Sequence, residues 1–414
     1  MSANEAYVWI WLPGKTEPVV AGLLERKDDG RLQFNYGRSY LARNDAISIY
    51  LPELPLVAGE IPLHEKMQLP SCIRDASPDA WGRRVIINRT LGLRGRDADH
   101  IDLDELTYLL ESGSDRVGAL DFQLSATAYM PRQRRNATLD ELLQSAERVE
   151  QGVPLSPELD QALQHGTSLG GARPKALIEQ GTQKFIAKFS ASTDLYNVVK
   201  AEFVAMRLAK LVGLDVAHVA LAKALGKDVL LIERFDRVAH EDSWQRRSMV
   251  SALTMLELDE SEARYASYED FATLIRHRFT RPRDTLRELF GRIVFNILSG
   301  NTDDHARNHA AFWDGQALTL TPAYDICPQG RNGGEATQAM LILGDRKLSQ
   351  MSLCLEAAPQ FQLDAETARS IIDRQLETIR ARWDDVCAEG GLTEVDKAYL
   401  WGRQFLNPFA LEGF

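Results

Sequence analysis

Thirty residues, Ser299 to Pro328 (SGNTDDHARNHAAFWDGQALTLTPAYDICP), constrain this chain more than any other stretch. They carry Asp303, Asp304, Asn308 and Asp325 together with His305 and His309. Asp303 and Asn308 stand five residues apart. The turn-forming Trp313-Asp314-Gly315-Gln316 lies between two apolar runs, so a hairpin is expected, with Asp325 on its far side. A helical pattern from Thr285 to Ser299 leads into the stretch.

The order Asp303, Asn308, Asp325 is that of a base, a metal-binding amide and a metal-binding acid. Phosphotransferases of the protein-kinase kind use it: a catalytic-loop Asp orients the hydroxyl, and an Asn five residues on and a later Asp hold magnesium on ATP. Asp-x-x-x-x-Asn alone is common by chance, and the later Asp beyond a hairpin adds specificity. Three simpler explanations compete. Asp303 and Asp304 would make a solvated loop tip. His305 and His309, four apart, would ligate a metal if helical, although the Glu of His-Glu-x-x-His is missing. Asn308 would cap a turn, since Asn bonds its own backbone readily.

The rest of the chain bounds the choice. Its 414 residues suggest two or three domains. With 44% hydrophobic and 26% charged residues the composition is that of an ordinary globular protein. A net charge of −11 argues against a chain that holds nucleic acid by itself, because phosphate neutralisation needs clustered Lys and Arg. Cys72, Cys327, Cys354 and Cys387 are scattered, with no Cys-x-x-Cys pair, so reduced thiols in a cytoplasmic protein are expected. No basic segment followed by an apolar core marks a signal peptide, and no apolar run of about 18 residues marks a membrane span.

Residues 1 to about 63 read as short strands: Tyr7 to Leu12, Val19 to Leu24 and Arg31 to Tyr36, with Lys27-Asp28-Asp29-Gly30 as a turn. A small antiparallel sheet or partial barrel is expected, followed by an extended path through Pro52, Pro55 and Pro62. Ser77-Pro78-Asp79-Ala80-Trp81-Gly82 starts a helix, with Ser77 as N-cap and Pro78 at the first helical position. For Trp81 and Arg83, packing and a surface ion pair are the favoured roles. A helix over Leu103 to Glu111 and a strand over Ala119 to Ser125 follow. Pro131 to Asn136 is basic and reads as an exposed linker. Thr138 caps a helix from Leu139 to about Gln151, and a short helix covers Pro157 to Leu163.

His165 to Ala176 is Gly-rich. Gly170 and Gly171 before a strand would let backbone N–H groups approach phosphates, although the loop lacks Gly-Lys-Ser/Thr and an ordinary turn fits as well. Ala176 to Glu179 and Lys184 to Phe189 read as paired strands. Lys188, at the end of the second, has the position of the phosphate-contacting lysine of kinases; an exposed strand-end lysine is the simpler alternative. Asn197 to Val212 is an amphipathic helix stopped by Gly213. Glu202 in it would pair with Lys188 or be a solvated residue favoured by the helix dipole. Val229 to Arg237 is a buried strand leaving into a charged turn, where a hinge between lobes would fall. Beyond Ser248 helical patterns dominate: Phe271 to Arg278, Thr285 to Ser299, Ala365 to Ala388 and Thr393 to Phe409. Gln329 to Glu335 is Gly-rich and expected to be mobile.

Taken in order, Ser168-Leu169-Gly170-Gly171-Ala172-Arg173-Pro174-Lys175, Lys188, Glu233-Arg234-Phe235-Asp236-Arg237, Asn301 to Asn308, and Thr321-Pro322-Ala323-Tyr324-Asp325 resemble the HipA family of toxin kinases from bacterial type II toxin–antitoxin systems. The resemblance covers nearly the whole chain, including Ser77 to Gly82. Arg307 stands where the family more often has Lys, and Asp304 at a position that varies. The resemblance implies an α+β, two-lobed, protein-kinase-like fold with an N-terminal β-rich region (1–125), an ATP-binding small lobe (126–236) and an all-helical C-terminal lobe (237–414). It implies Asp303 as base and Asn308 and Asp325 as magnesium ligands. Lys188 would contact the ATP phosphates, Glu233 and Phe235 would flank adenine, and His305 and Tyr324 would lie beside the nucleotide. Ser168 would be autophosphorylated, with Thr167 as an alternative acceptor. For Ser168 the competing role is that of a turn cap.

The resemblance further implies a serine/threonine kinase that arrests growth, held by a helix-turn-helix antitoxin and meeting operator DNA mainly through it. Some relatives modify aminoacyl-tRNA synthetases. Two other classes stay open: a catalytically idle corepressor in a toxin–antitoxin–DNA complex, and a metallohydrolase built on Asp303, His305, His309 and Asp325.

Overall fold

The computed structural model describes residues 3–92, 101–132, 137–153, 155, 156, 159, 171, 173–331 and 333–414. The chain divides into two units, each built from separate stretches. The first comprises Met1–Thr193, Ala222–Val250 and Phe312–Gln316; the second comprises Asp194–Leu221, Ser251–Ala311 and Ala317–Phe414.

In the first unit, β1 (Glu5–Ile10), β2 (Val19–Arg26), β3 (Leu32–Tyr36) and β4 (Leu120–Gln123) form an antiparallel sheet in the order β3-β2-β1-β4. The expected strands are there, and β4 joins them from far along the chain, with Tyr7 opposite Gln123 and Ile10 opposite Leu120. No pairing of β3 with β4 closes a barrel among the described strands. Val8, Ile10, Leu24, Phe34 and Phe122 are buried, as alternating apolar strand positions should be.

The helix expected from Ser77 begins later, at Ala80, and runs to Leu91 with Asp79 at its N-cap. The Ser77 hydroxyl is engaged elsewhere, donating to Glu105 at 3.0 Å. Trp81 is buried and Arg83 pairs with Glu105, so their expected packing and ion-pair roles hold. The next helix spans Glu105–Glu111, capped by Asp104 accepting from the Thr107 N–H. Thr138 and Glu141 form a reciprocal capping box at the start of Leu139–Glu150. The short helix expected over Pro157 to Leu163 lies, apart from Leu159, outside the described residues. Arg132 departs from a free linker: its guanidinium bonds the Phe122 carbonyl and the Asp121 carboxylate, because Asp121 is fully buried and needs cationic partners. Residues 133–136 lie outside the described residues.

A second sheet has the order β5-β6-β8-β7, from β5 (Lys175–Gln180), β6 (Gln183–Phe189), β7 (Val219–Ala224) and β8 (Lys227–Glu233). The strands expected at 176–179 and 184–189 are β5 and β6. After β8 comes the charged turn read as a hinge. It is instead held in place inside the first unit. Arg234 clasps the Asp236 carboxylate at 2.9 and 2.7 Å and reaches the Asp115 carboxylate and the Arg116 carbonyl. Arg237 bonds Asp115 at 2.9 Å and the Gly118 carbonyl at 2.9 Å, and Lys184 bonds Asp115 at 2.8 Å. All of these charged side chains are buried. Buried charges survive only when paired and hydrogen-bonded, so the turn is fixed rather than free.

The region from 237 onward is not all helical. It contains β9 (Arg237–His240) paired with β10 (Ser243–Arg246), then β11 (Met249–Ser251), β12 (Ala310–Trp313) and β13 (Leu318–Leu320). These strands are three or four residues long, too short to show a period in the sequence.

In the second unit, Asn197 caps the helix Val198–Leu211, and Gly213 stops it with φ 96°. The other long helices are Tyr268–Arg278, Pro282–Ser299 and Ala365–Glu389. The helix expected over Thr393 to Phe409 stops at Leu400. Gly402 and Leu406 take positive φ, and Pro408 has no N–H to continue a helix. Gln329, in the segment read as mobile, donates its N–H to the Gly300 carbonyl at 3.0 Å; Asn332 lies outside the described residues. All four cysteines are free and buried. Among the described residues no helix is long and apolar enough to cross a membrane.

Candidate active site

The site residues expected from sequence fall into two groups, one in each unit. In the second unit the helix Pro282–Ser299 ends at Gly300, whose left-handed conformation (φ 73°) and close approach to the Gln404 backbone leave no room for a Cβ. The loop that follows carries Asp303 to Asn308. His305 and Asn308 donate their N–H groups to the carbonyls of Asp303 and His305, and a single 3-10 turn spans Ala306–Asn308.

Adjacent acids take opposite environments here. Asp303 is exposed at the surface of its loop. Asp304 is buried, and three elements converge on its carboxylate: the Tyr268 hydroxyl, Asn296 Nδ2 at 2.7 Å and His309 Nε2 at 3.0 Å. Asn301 in turn donates to Asn296 Oδ1 at 3.0 Å. Burial alone would raise the Asp304 pKa, but His309 and Tyr268 more than reverse that and hold it low. Asp303 shifts the other way. Partial burial pushes its pKa up, with the carboxylates of Asp325 and Asp304 adding to this and His305 opposing it. The solvated-tip explanation therefore fails for Asp304, which nails the loop down while Asp303 stays open. Its role was not legible, because Tyr268 and Asn296 reach it from two different helices.

Asn308 Nδ2 donates to the Asp303 carbonyl at 3.1 Å, which leaves Oδ1 as its acceptor group. The expected hairpin is present: Gln316 N–H bonds Asp314 Oδ1 at 2.8 Å and Gly315 takes φ 96°. Beyond it Asp325 is half-buried with φ 59°. A non-glycine residue held there is strained, and such outliers gather at functional sites. Tyr324 donates to the Arg307 carbonyl at 2.8 Å, and Arg307 pairs with Glu260. An amide oxygen and a carboxylate are hard donors that suit magnesium, which keeps several of its own waters. The zincin-like alternative does not fit. His309 is turned into the core against Asp304, His305 is not helical, and no group of three or more His, Cys, Asp or Glu among the described residues is placed to hold a metal.

In the first unit Lys188 is buried, not an exposed strand end. Directly across the β5–β6 ladder stands Lys175, equally buried and on the same face. The register thus brings two positive charges close together on one face of the sheet. Lys175 was missed because only the strand register reveals it. Gly171 has φ 95°, a conformation that residues with a Cβ rarely adopt, and the Lys175 ammonium lies beside it. Glu233 ends β8 and accepts from Gln183 Nε2 at 3.1 Å. Phe235 is half-buried, edge-on to Phe312. Ser168 and Gly170 lie outside the described residues. Glu202, in the second unit, is buried, so the solvated alternative for it fails.

A solved complex of HipA, HipB and operator DNA from the Shewanella oneidensis MR-1 toxin–antitoxin system contains a chain of the same fold. The TM-score is 0.70 at 20% identity, covering 95% of this chain and 93% of that one. That defines the class of fold. Residues 167–383 match the HipA-like C-terminal domain and residues 10–123 the HipA N-terminal domain, so the chain belongs to the HipA-like family. Among curated relatives, the kinase-designated protein Y4mE of Sinorhizobium fredii is 32% identical over 146 residues, covering 34% of this chain and 33% of its own length. The serine/threonine-protein kinase toxin HipA of Shewanella oneidensis is 25% identical over 238 residues, 52% of this chain and 54% of that protein. The chain thus spans about a third to a half of the length of these relatives.

Proposed function

We propose that this protein is an ATP- and magnesium-dependent serine/threonine protein kinase that arrests growth as a toxin and is held by a helix-turn-helix antitoxin, through which it meets operator DNA. The observation that carries the reading is the pair of neighbouring acids: Asp304 locked in the core, Asp303 left free beside it with a raised pKa. A carboxylate raised above its ordinary value and held by a rigid support suits abstraction of a hydroxyl proton.

Asp303 orients the hydroxyl of the protein substrate and takes its proton. Asn308 Oδ1 and the Asp325 carboxylate would hold magnesium, which when bound neutralises charge on the ATP phosphates. Lys188, with Lys175 opposite, supplies cationic charge for those phosphates. Glu233 and Phe235 flank adenine in this reading, with His305 and Tyr324 beside the nucleotide. Gly170 and Gly171 cradle the phosphates, and Ser168 is the autophosphorylation site. The names of the relatives and the complete set of acids support it, and an aminoacyl-tRNA synthetase or another translation factor is the substrate class to try first.

The test is incubation of the pure protein with labelled ATP and magnesium, followed by phosphoamino acid analysis. Label on serine or threonine is expected, and none above a protein-free control would sink the reading. Lys188→Met should weaken ATP binding by about 10- to 100-fold, as loss of a charge-assisted contact does. Titration of a fluorescent ATP analogue measures it, and an unchanged affinity removes Lys188 from the site.

A further inference from the structure

Ser77 to Gly82 is the motif that phosphotransfer leaves without a task. Its groups converge on the stem of the Gly-rich segment, some 90 residues away. The Asp79 carboxylate accepts the Gly171 N–H, the Trp81 N–H donates to the Gly171 carbonyl at 3.3 Å, and Trp81 Nε1 donates to the Lys175 carbonyl at 3.1 Å. We propose that Asp79 and Trp81 clamp Gly171 and Lys175, the two ends of this stem, and position them for the nucleotide phosphates. The proposal rests on the kinase reading and adds the part played by the N-terminal region.

The clamp stands on a rigid base. Arg116, itself fully buried, donates to the Ala76 carbonyl at 3.0 Å. Arg83 donates to the Pro78 carbonyl at 2.9 Å and its guanidinium pairs with Glu105. Ser77 bonds the same Glu105. Trp81 is 1% exposed, so its ring has no freedom to release the Lys175 carbonyl. Asp79 sits at the N-cap of Ala80–Leu91, yet its side chain makes no cap hydrogen bond within the helix; it is given to Gly171 instead.

The stem needs such a hold. Gly171 is in a left-handed conformation that gives the chain little intrinsic stiffness. Lys175 must keep its ammonium beside Gly171 and on the face shared with Lys188. Hydrogen bonds to a carboxylate are about twice as strong as neutral ones. Fixing the stem before the ligand arrives removes an ordering cost from binding. Asp79 and Trp81 are thus positioning residues, touching the stem and not the nucleotide.

Two measurements on the full-length protein test this. Hydrogen exchange of the segment containing Gly171, without nucleotide, should quicken in Asp79→Ala at conditions where the thermal midpoint shows the protein folded. ATP affinity should fall about tenfold, with the turnover number of nucleotide-saturated enzyme much less affected. Asp79→Asn keeps an acceptor oxygen and should recover most of the loss. Trp81→Phe keeps an aromatic ring while freeing the Lys175 carbonyl, and should weaken ATP binding in the same direction. Unchanged exchange at Gly171 and unchanged ATP affinity in Asp79→Ala would overturn the clamp. A wild-type protein that binds no ATP would instead remove the kinase reading beneath it, with the exchange measurement still reporting on the clamp.

Discussion

Asp303→Asn is expected to lower phosphotransfer by about 10²- to 10⁴-fold, the usual contribution of a positioned general base. ATP binding should change little, since the phosphates are assigned to Lys188, Lys175 and the magnesium ligands. The wild type should also show a distinctive pH profile. An ordinary aspartate titrates near about 3.9. Partial burial lifts Asp303 above that, Asp325 and Asp304 lift it further, and His305 only partly opposes them. The active form is the carboxylate, so kcat/KM should fall as pH drops through a value above that of an ordinary aspartate. Label transfer followed from pH 4 to 8 measures this. A wild-type rate in Asp303→Asn would falsify the assignment of the base. An acid limb at or below the ordinary aspartate value would contradict the environment described for it.

The second large effect concerns stability. Asp236→Ala should destabilise the protein by about 3–5 kcal/mol, the cost of removing one partner from a buried pair. The variant leaves Arg234 and Arg237 buried without the carboxylate they share, and it also orphans the Gly118 N–H, which bonds Asp236 at 2.8 Å. Burial alone would raise the Asp236 pKa, but the two guanidiniums more than reverse this and hold it far below the ordinary range. A depressed carboxylate contributes stability above its unfolded value of about 4 and loses it as pH falls toward the folded value. The difference between wild type and Asp236→Ala should therefore be full at pH 7 and shrink below pH 4. Urea denaturation at a series of pH values reads both. A midpoint unmoved at pH 7 would show that the network does not hold the turn.

These cases show where sequence reading succeeded and where it stopped. The hairpin turn at Asp314-Gly315 between Asn308 and Asp325 was legible because it is a local feature. The paired strands β5 and β6 and the Thr138 cap were legible for the same reason. Asp304 was not, because its meaning depends on Tyr268 and Asn296 arriving from two different helices. Lys175 needed a strand register. The charged turn after β8 was read as a hinge from its local sequence; only the bonds of Arg234 and Arg237 to the distant Asp115 show that it is held. Helix ends were misplaced where a side chain was recruited elsewhere, as at Ser77, or where the backbone turned to positive φ, as at Gly402.

The tip of the β12–β13 hairpin has a consequence for how the protein is made. Trp313 Nε1 bonds the Ser48 carbonyl at 2.9 Å, Phe312 stacks edge-on against Phe235, and Gly315 packs where a Cβ would meet Ile47. The first unit therefore lacks part of its interior until residues 312–316 have left the ribosome. By then the loop bearing Asp303 has already been synthesised. Nascent chains that stop short of the hairpin cannot complete the fold from the N-terminal end, as many multidomain proteins do. The first unit can therefore close only when translation has passed three-quarters of the chain.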